Sequence, residues 1–459
     1  MTQHIIIGGG PAATNCFEAI RQFDSEAKIT LISDEPAHSR MALPYWLAGQ
    51  IPREHTHTAD EKYLQQKGVS AIYGDRVTKV DPKKNSITLA SGKTLNYDNL
   101  LIATGASPLQ PPIPGVDLPG VQTLWTLADT EQVLKTAGNK QPRVVLVGAG
   151  FIGFIMLNAM YKRGWKLAVV EREPFVLPRM LEKESAEFVQ DWLKARDVAV
   201  HAGTTVQSIT AADDGSKVVH LDNGGKIEAD IVVIATGIKA NIELIAGSGI
   251  KVDQGILVND RMQTNFPNIY AAGDVAEGPA LYSDQPAVHS IQPTAVDHGR
   301  VAGANMAGQD VHYPGSLLMN VVDVCGLHAS RFGELGDNAE ATTISNPLDS
   351  IYRKFVWQED QLIGAIFLGR PNDMGMLTDV GMIKGILQTQ TRLGKWKKYL
   401  VENPFDVRRV YIGCGVAKKL VNTTLLGRPS VDRRYHFQGT AVKTEMGSHH
   451  AVFVDTKAD

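Results

Sequence analysis

The chain has little cysteine: three residues among 459, Cys16, Cys325 and Cys414, odd in number and without a C-x-x-C or C-x-x-x-x-C spacing. That scarcity excludes a disulfide scaffold and suits a reducing compartment. Long apolar runs are missing too, since no stretch approaches the roughly 18 apolar residues of a membrane span. The opening MTQHIIIGGG runs straight into a strand and carries no basic segment ahead of a long apolar one, so no secretory signal is visible. Charge of one sign is absent: a formal net charge of -3 with 21% charged residues argues against a nucleic-acid surface and against disorder. Histidines are scattered, and neither His289 nor His298 has a second ligand at useful spacing, so no metal site is expected. The expectation is a cytoplasmic globular protein, and its length exceeds one core and predicts two to four domains of roughly 100 to 200 residues.

Glycine, by contrast, is plentiful at 43 residues and gathers where short apolar runs end, as in strands that feed phosphate-binding turns. Strand, glycine turn, helix and strand follow one another twice: HIIIGGGPAATNCFEAIRQF then KITLISDE, and RVVLVGAGFIGFIMLNAMYKRG then KLAVVERE. Each copy predicts a βαβ unit whose second strand ends in acid, the layout of a dinucleotide fold. The copies lie about 140 residues apart, too far for a solenoid repeat, so they predict two related domains. A second phrase recurs in YDNLLIATGASP and ADIVVIATGIKAN, each a buried strand that ends in Ala-Thr-Gly and closes one unit.

Pro108 to Gly115, PLQPPIPG, reads as a stiff crossover out of the first unit. Past residue 252 the chain looks like a return to the first unit. From about residue 314 the strands of IYRKFVWQEDQLIGAIFLG and the helix MGMLTDVGMIKGILQTQ suggest an α+β domain, and beyond about residue 415 no periodicity is clear. The expected class is α/β: two Rossmann-like dinucleotide-binding domains, the second inserted in the first, plus a C-terminal α+β domain. Boundaries are expected at 1–115, 116–251, 252–313 and 314–459.

In the first turn, Gly8 permits the tight bend, Gly10 lets backbone approach a pyrophosphate, and Pro11-Ala12-Ala13 opens the helix, Ala13 being small enough for close helix–strand packing. The helix N-terminus then favours the anion. Glu35, closing KITLISDE, stands where a carboxylate can take both ribose hydroxyls, with Asp34 its rival. The second turn has the full three-glycine form, Gly148, Gly150 and Gly153 around Phe151-Ile152, and leads to Glu171. A carboxylate there accepts from ribose and repels a 2′-phosphate, which favours NADH over NADPH, although Arg172 could swing onto a phosphate.

With these motifs the chain resembles the two-dinucleotide-domain flavoprotein reductases, in the branch of rubredoxin and ferredoxin reductases, NADH oxidases, coenzyme A disulfide reductases and the flavin part of NADH nitrite reductase. The resemblance covers about residues 3 to 310 and rests also on Thr264-Asn265-Phe266-Pro267-Asn268-Ile269-Tyr270-Ala271-Ala272-Gly273-Asp274. It implies FAD and NAD(H) as cofactors. Gly273 and Asp274 would hold the FAD ribityl chain, and the helix opening near Pro293-Thr294 would point its positive end at the flavin pyrimidine. Arg40 would lie near the FAD phosphates or ribose, and Ala103-Thr104-Gly105 and Gly237, from the Ala-Thr-Gly phrases, would border the cofactors.

Departures from the family pattern bear on mechanism. Where some relatives carry a redox cysteine ahead of Gly-Leu-Pro-Tyr, this chain has Met41 ahead of Ala42-Leu43-Pro44-Tyr45. A thioether cannot form a mixed disulfide, so flavin is expected to reduce the acceptor directly. Many relatives pair a lysine near flavin N5 with a glutamate; Tyr45 and Ile155 stand at those positions here, and Pro44, Tyr45 and Ile155 become the candidate contributors beside a flavin-borne reaction.

The expected function is an NADH-dependent FAD oxidoreductase that passes electrons to a small molecule, quinone or carrier protein. Reduction of dioxygen and an NADH-responsive, conformation-driven partner role are the alternatives. The third domain is expected to form a homodimer or partner contact, with Arg392, Lys395, Lys397 and Lys398 around Trp396 and Tyr399 as a patch for an acidic carrier.

Overall fold

A computed structural model of the chain describes residues 1–336, 339–370, 372–422, 442–443 and 449–450. The apolar opening residues form β1 (Gln3–Ile7), buried on both faces as a central parallel strand must be. Helix α1 (Pro11–Phe23) follows; proline at its first position costs no hydrogen bond there, and Ala12, Ala13, Cys16, Phe17 and Ile20 bury one face. The chain continues through β2 (Lys28–Ser33), the short helix α2 (Leu43–Leu47), β3 (Val69–Tyr73) and β4 (Asn99–Ile102).

The second unit repeats this plan with β5 (Val121–Gln122), α3 (Leu127–Ala137), β6 (Arg143–Val147), α4 (Phe151–Lys162), β7 (Lys166–Glu171), α5 (Lys183–Lys194), β8 (Ala199–Ala202) and β9 (Ile231–Ile234). The chain then returns to the first sheet as β10 (Ile269–Ala271), which pairs parallel with β4. Sheet orders are therefore β10-β4-β1-β2-β3 and β8-β7-β6-β9-β5, both parallel. Helix α6 (Gln292–Met306) lies across α1. A Cβ on Gly299 would stand 2.2 Å from the Ala12 carbonyl oxygen and one on Gly303 2.3 Å from that of Cys16, so both glycines let two helix backbones meet.

Beyond these units an antiparallel sheet in the order β11-β12-β15-β14-β13 is built from β11 (Met319–Val324), β12 (Leu327–Gly333), β13 (Glu340–Asn346), β14 (Ile351–Gln358) and β15 (Gln361–Gly369). Helices α7 (Met374–Gln388) and α8 (Lys395–Glu402) follow it. This part packs on the second unit: β11 lies against α4, Lys354 pairs with Glu182 at 2.6 Å, and the Trp192 indole N–H donates to the Cys325 carbonyl.

Cys325 and Gly326 form the two-residue turn of the β11–β12 hairpin, at φ +49 and +88. Cys414 closes the helix Val407–Gly413. The stretch beyond residue 415 opens with a helix, Val416–Asn422, whose Val416 is wholly buried; tertiary burial supplies what periodicity did not announce. The rest of that stretch, apart from 442–443 and 449–450, lies outside the described residues. No helix among the described residues is long and apolar enough to cross a membrane.

Candidate functional site

The two glycine turns have the same construction. The Gly8 N–H donates to Ile32 and the Gly148 N–H to Val170, at 2.7 and 2.8 Å, so each turn is tied to the neighbouring strand. Both glycines have positive φ, +119 and +101, and a Cβ would strike the carbonyl oxygen of Ala103 at 2.1 Å or of Ala235 at 2.4 Å. These carbonyls open the Ala-Thr-Gly phrases, which explains why the phrases recur with the turns. Thr104 and Asn241 link the phrases: the Thr104 hydroxyl donates to the Asn241 carbonyl at 2.8 Å, and the Asn241 amide donates back to the Thr104 carbonyl at 2.9 Å. At the third turn position a Cβ on Gly153 would lie 2.6 Å from the Gly148 oxygen, while the first turn accommodates the fully buried Ala13.

From the first turn a cleft of about 750 Å³ runs between the units to the edge of the antiparallel sheet. Its floor is Gly8 to Ala12; its walls include Glu35, Arg40, Thr104, Asp274 and the residues from Ser290 to Pro293, and it ends among Met41, Pro44, Ile155 and Val321. Helix α1 begins at Gly10 without a side-chain cap, and a Cβ on Gly10 would meet nothing within 4 Å, so open space faces uncapped helix N–H groups. The Arg40 guanidinium enters the cleft without a hydrogen-bond or ion-pair partner among the described residues. Burial lowers its pKa, while Asp274 and Glu35 act the other way. Burial likewise raises the Asp274 carboxyl above the usual carboxylate range, opposed by Arg40. An uncapped helix, an unpartnered guanidinium and two carboxylates along one elongated cleft suit an anionic ligand that also carries hydroxyl groups, as a dinucleotide does.

The two strand-end acids of the first unit are distinguished by their surroundings. Asp34 is engaged by Arg76 at 2.5 Å on the surface, whereas Glu35 is left facing the buried His38, 3.6 Å away. Glu171 is buried; its oxygens accept from the Ala149 N–H at 2.6 Å and the Glu173 N–H at 2.9 Å, which fixes the carboxylate beside the second turn. Arg172 turns outward to Glu173.

Residues 2–296 match the model of the pyridine nucleotide-disulphide oxidoreductase family. The chain belongs to that family. It is 29% identical over 414 residues to the epsilon subunit of NADH-dependent phenylglyoxylate dehydrogenase from Aromatoleum evansii, covering 89% of this chain and 96% of that one. It is 35% identical over 320 residues to an NADH oxidase of Methanocaldococcus jannaschii, 67% of this chain and 71% of that one. Among solved structures it resembles an NAD-dependent persulfide reductase from A. fulgidus, at TM-score 0.78 and 27% identity, over 86% of this chain and 78% of that one. This oxidoreductase thus works with FAD and NAD(H), moving electrons from the nicotinamide through flavin to a second acceptor.

The oxidoreductase does not gather every sequence candidate into its cleft. Pro44 and Ile155 border it together, but Tyr45 is exposed on the outer face of α2. Thr294 is buried behind the cleft wall, where Gln292, Pro293 and Ala295 take the lining positions. Gly148, Gly150, Gly153 and Glu171 stand at the second turn and, like Gly237, do not border the cleft, which the second unit reaches through Phe151, Ile152, Ile155 and Met156 of α4 and through Trp125, Thr126 and Ala128.

Cys325 is buried in the core beneath α4, its thiol pushed up to about 12 by burial first and by Asp323 second. The expected basic patch is largely neutralised: Arg392 binds Glu359 and Asp360, and Lys397 binds Glu340. His38, Trp125, Met319 and Val321 line the cleft and were not foreseen. His38 stands between Glu35 and Arg40 in the sequence, whereas Trp125, Met319 and Val321 come from segments without a motif, and only folding brings them there.

Proposed function

We propose that this oxidoreductase takes a hydride from NADH in preference to NADPH and passes electrons from flavin directly to a protein acceptor. The observation that carries the direct route is the thioether of Met41 at the cleft end, with no cysteine among the residues bordering the cleft. FAD, when bound, accepts the hydride and hands its electrons on. The protein's own groups then hold and orient. The α1 N-terminus and Arg40 would take the pyrophosphate, Glu35 the adenosine ribose, Asp274 the ribityl hydroxyls, and the N-terminal turn of α6 the pyrimidine edge. Glu171 would receive the ribose of NADH beside the second turn, and the apolar start of α4 would steer the nicotinamide toward Pro44 and Ile155 while excluding water.

In this reading residues 1–115 and 252–313 form the flavin unit, 116–251 the nicotinamide unit and 314–459 a contact face for a partner or a second copy. A protein acceptor is supported by the near full-length similarity to a subunit of a larger NADH-dependent enzyme. Anaerobic reduction with NADH followed by rapid mixing with iron–sulfur carriers, quinones or dioxygen tests the reading. Reoxidation fastest with a protein carrier is expected; reoxidation fastest with dioxygen would make the chain an oxidase.

A further inference from the structure

The Arg40 guanidinium has one neighbour that explains its pose. Its central carbon lies 4.5 Å from the centre of the Trp125 ring. On another side it approaches Gly105, where a Cβ would come within 3.4 Å of Nη1 and φ is +67. Trp125 itself is held firmly. It is buried, its indole N–H donates to the Ala106 carbonyl at 2.9 Å, and its backbone N–H donates to the Asp129 carboxylate at 2.9 Å. Asp129 also closes the capping box with Thr126 that starts α3, so the indole is anchored to a helix terminus. Trp125 lies between β5 and α3 and therefore belongs to the second unit, while Arg40 stands on the wall of the first.

An unpaired guanidinium on a long side chain would sample many rotamers and swing toward water. A flat aromatic face fixes its plane and attracts its charge without consuming any of its N–H donors. All donors stay available to an anion in the cleft.

We propose that Trp125 is a positioning residue that presets Arg40 for the flavin phosphates, so that flavin retention depends on a side chain of the nicotinamide unit. This rests on the reading of the cleft as the FAD site. The test is the rate at which flavin fluorescence appears when the holoprotein is diluted, in the parent and in Trp125→Leu, Trp125→Phe, Arg40→Ala and the Arg40→Ala/Trp125→Leu double variant. Trp125→Leu should release flavin roughly tenfold faster, and Trp125→Phe, which keeps an aromatic face, should stay within about twofold of the parent.

In the Arg40→Ala background the leucine substitution should add nothing further, because the group it positions is gone. Release at the parent rate from Trp125→Leu, or an equal acceleration in both backgrounds, would overturn the proposal and leave Trp125 a packing residue. If Trp125→Leu does not fold, Trp125→Met supplies the same comparison. Parent-like release from Arg40→Ala would instead strike the reading of the cleft itself.

Discussion

At the scale of single residues, the strand-end acids decide which cofactor group is held and how. Both acids line the cleft, but Asp34 is engaged by Arg76, an exposed pairing worth about 0 to 1 kcal/mol, while Glu35 faces His38. Glu35→Ala should therefore weaken FAD retention by roughly tenfold or more, from the loss of charge-assisted hydrogen bonds, and Asp34→Ala should barely change it. Equal losses in the two variants, measured as flavin content after gel filtration, would put the ribose elsewhere. Glu171→Ala should raise KM for NADH by about tenfold and for NADPH much less, eroding the preference between them. A parent enzyme that used NADPH at least as well would hand the site to Arg172.

These acids were legible because the chemistry of a phosphate turn followed by a strand-end carboxylate is local to one βαβ unit. Tyr45 and Thr294 were not. Which side chain of a five-residue helix faces a cleft, or which residue of a helix's first turn lies behind its wall, is set by neighbours far away in sequence.

Elements show the same division between local and distant causes. Both glycine turns and both Ala-Thr-Gly strands could be read directly, since each is a contiguous segment with its own steric requirement. Gly299 and Gly303 could not, because their need for no side chain comes from α1, nearly the whole flavin unit away. Helix α8 looks like a docking patch in the sequence because sequence displays charges and hides their partners. Lys397 is mostly buried, bonded to Glu340 at 2.7 Å and 5.4 Å from the centre of the Trp357 ring, whereas Lys398 is exposed with Glu402 at 3.8 Å.

Reversal to Lys397→Glu should therefore lower the melting temperature, by the cost of placing a carboxylate against Glu340, about 1 to 3 kcal/mol. Lys398→Glu should leave stability unchanged within about 0.5 kcal/mol. If instead Lys398→Glu alone slowed turnover with a carrier protein in a salt-dependent way, the helix would regain a docking role.

Across the whole molecule, buried imidazoles set the response to acid. Burial is the leading cause of lowered pKa at His4, His38, His289, His298 and His328, and His298 on α6, packed edge-on to Tyr313 at 4.9 Å, is held down to about 3. The unfolded chain takes up these protons as pH falls through about 6.5, whereas the folded chain takes them up at lower pH, His298 only near about 3. Their contribution is thus complete above about pH 7 and is lost on acidification, His298 alone accounting for up to about 1.4 kcal/mol per pH unit below about 6. Melting temperatures of the parent should fall between pH 7 and 5, and His298→Phe, which removes the titrating group from an apolar site, should show a shallower fall. Parallel slopes would mean that His298 ionises freely in the folded state.

The central claim is that electrons pass from NADH to flavin and onward with no thiol between. Anaerobic titration of the purified holoprotein with NADH, followed by the absorbance of oxidised flavin, tests it most directly. Complete bleaching after a single equivalent of NADH per flavin, with no further uptake, is the expected result. Consumption of a second equivalent, the mark of a reducible sulfur centre in series with the flavin, would contradict it.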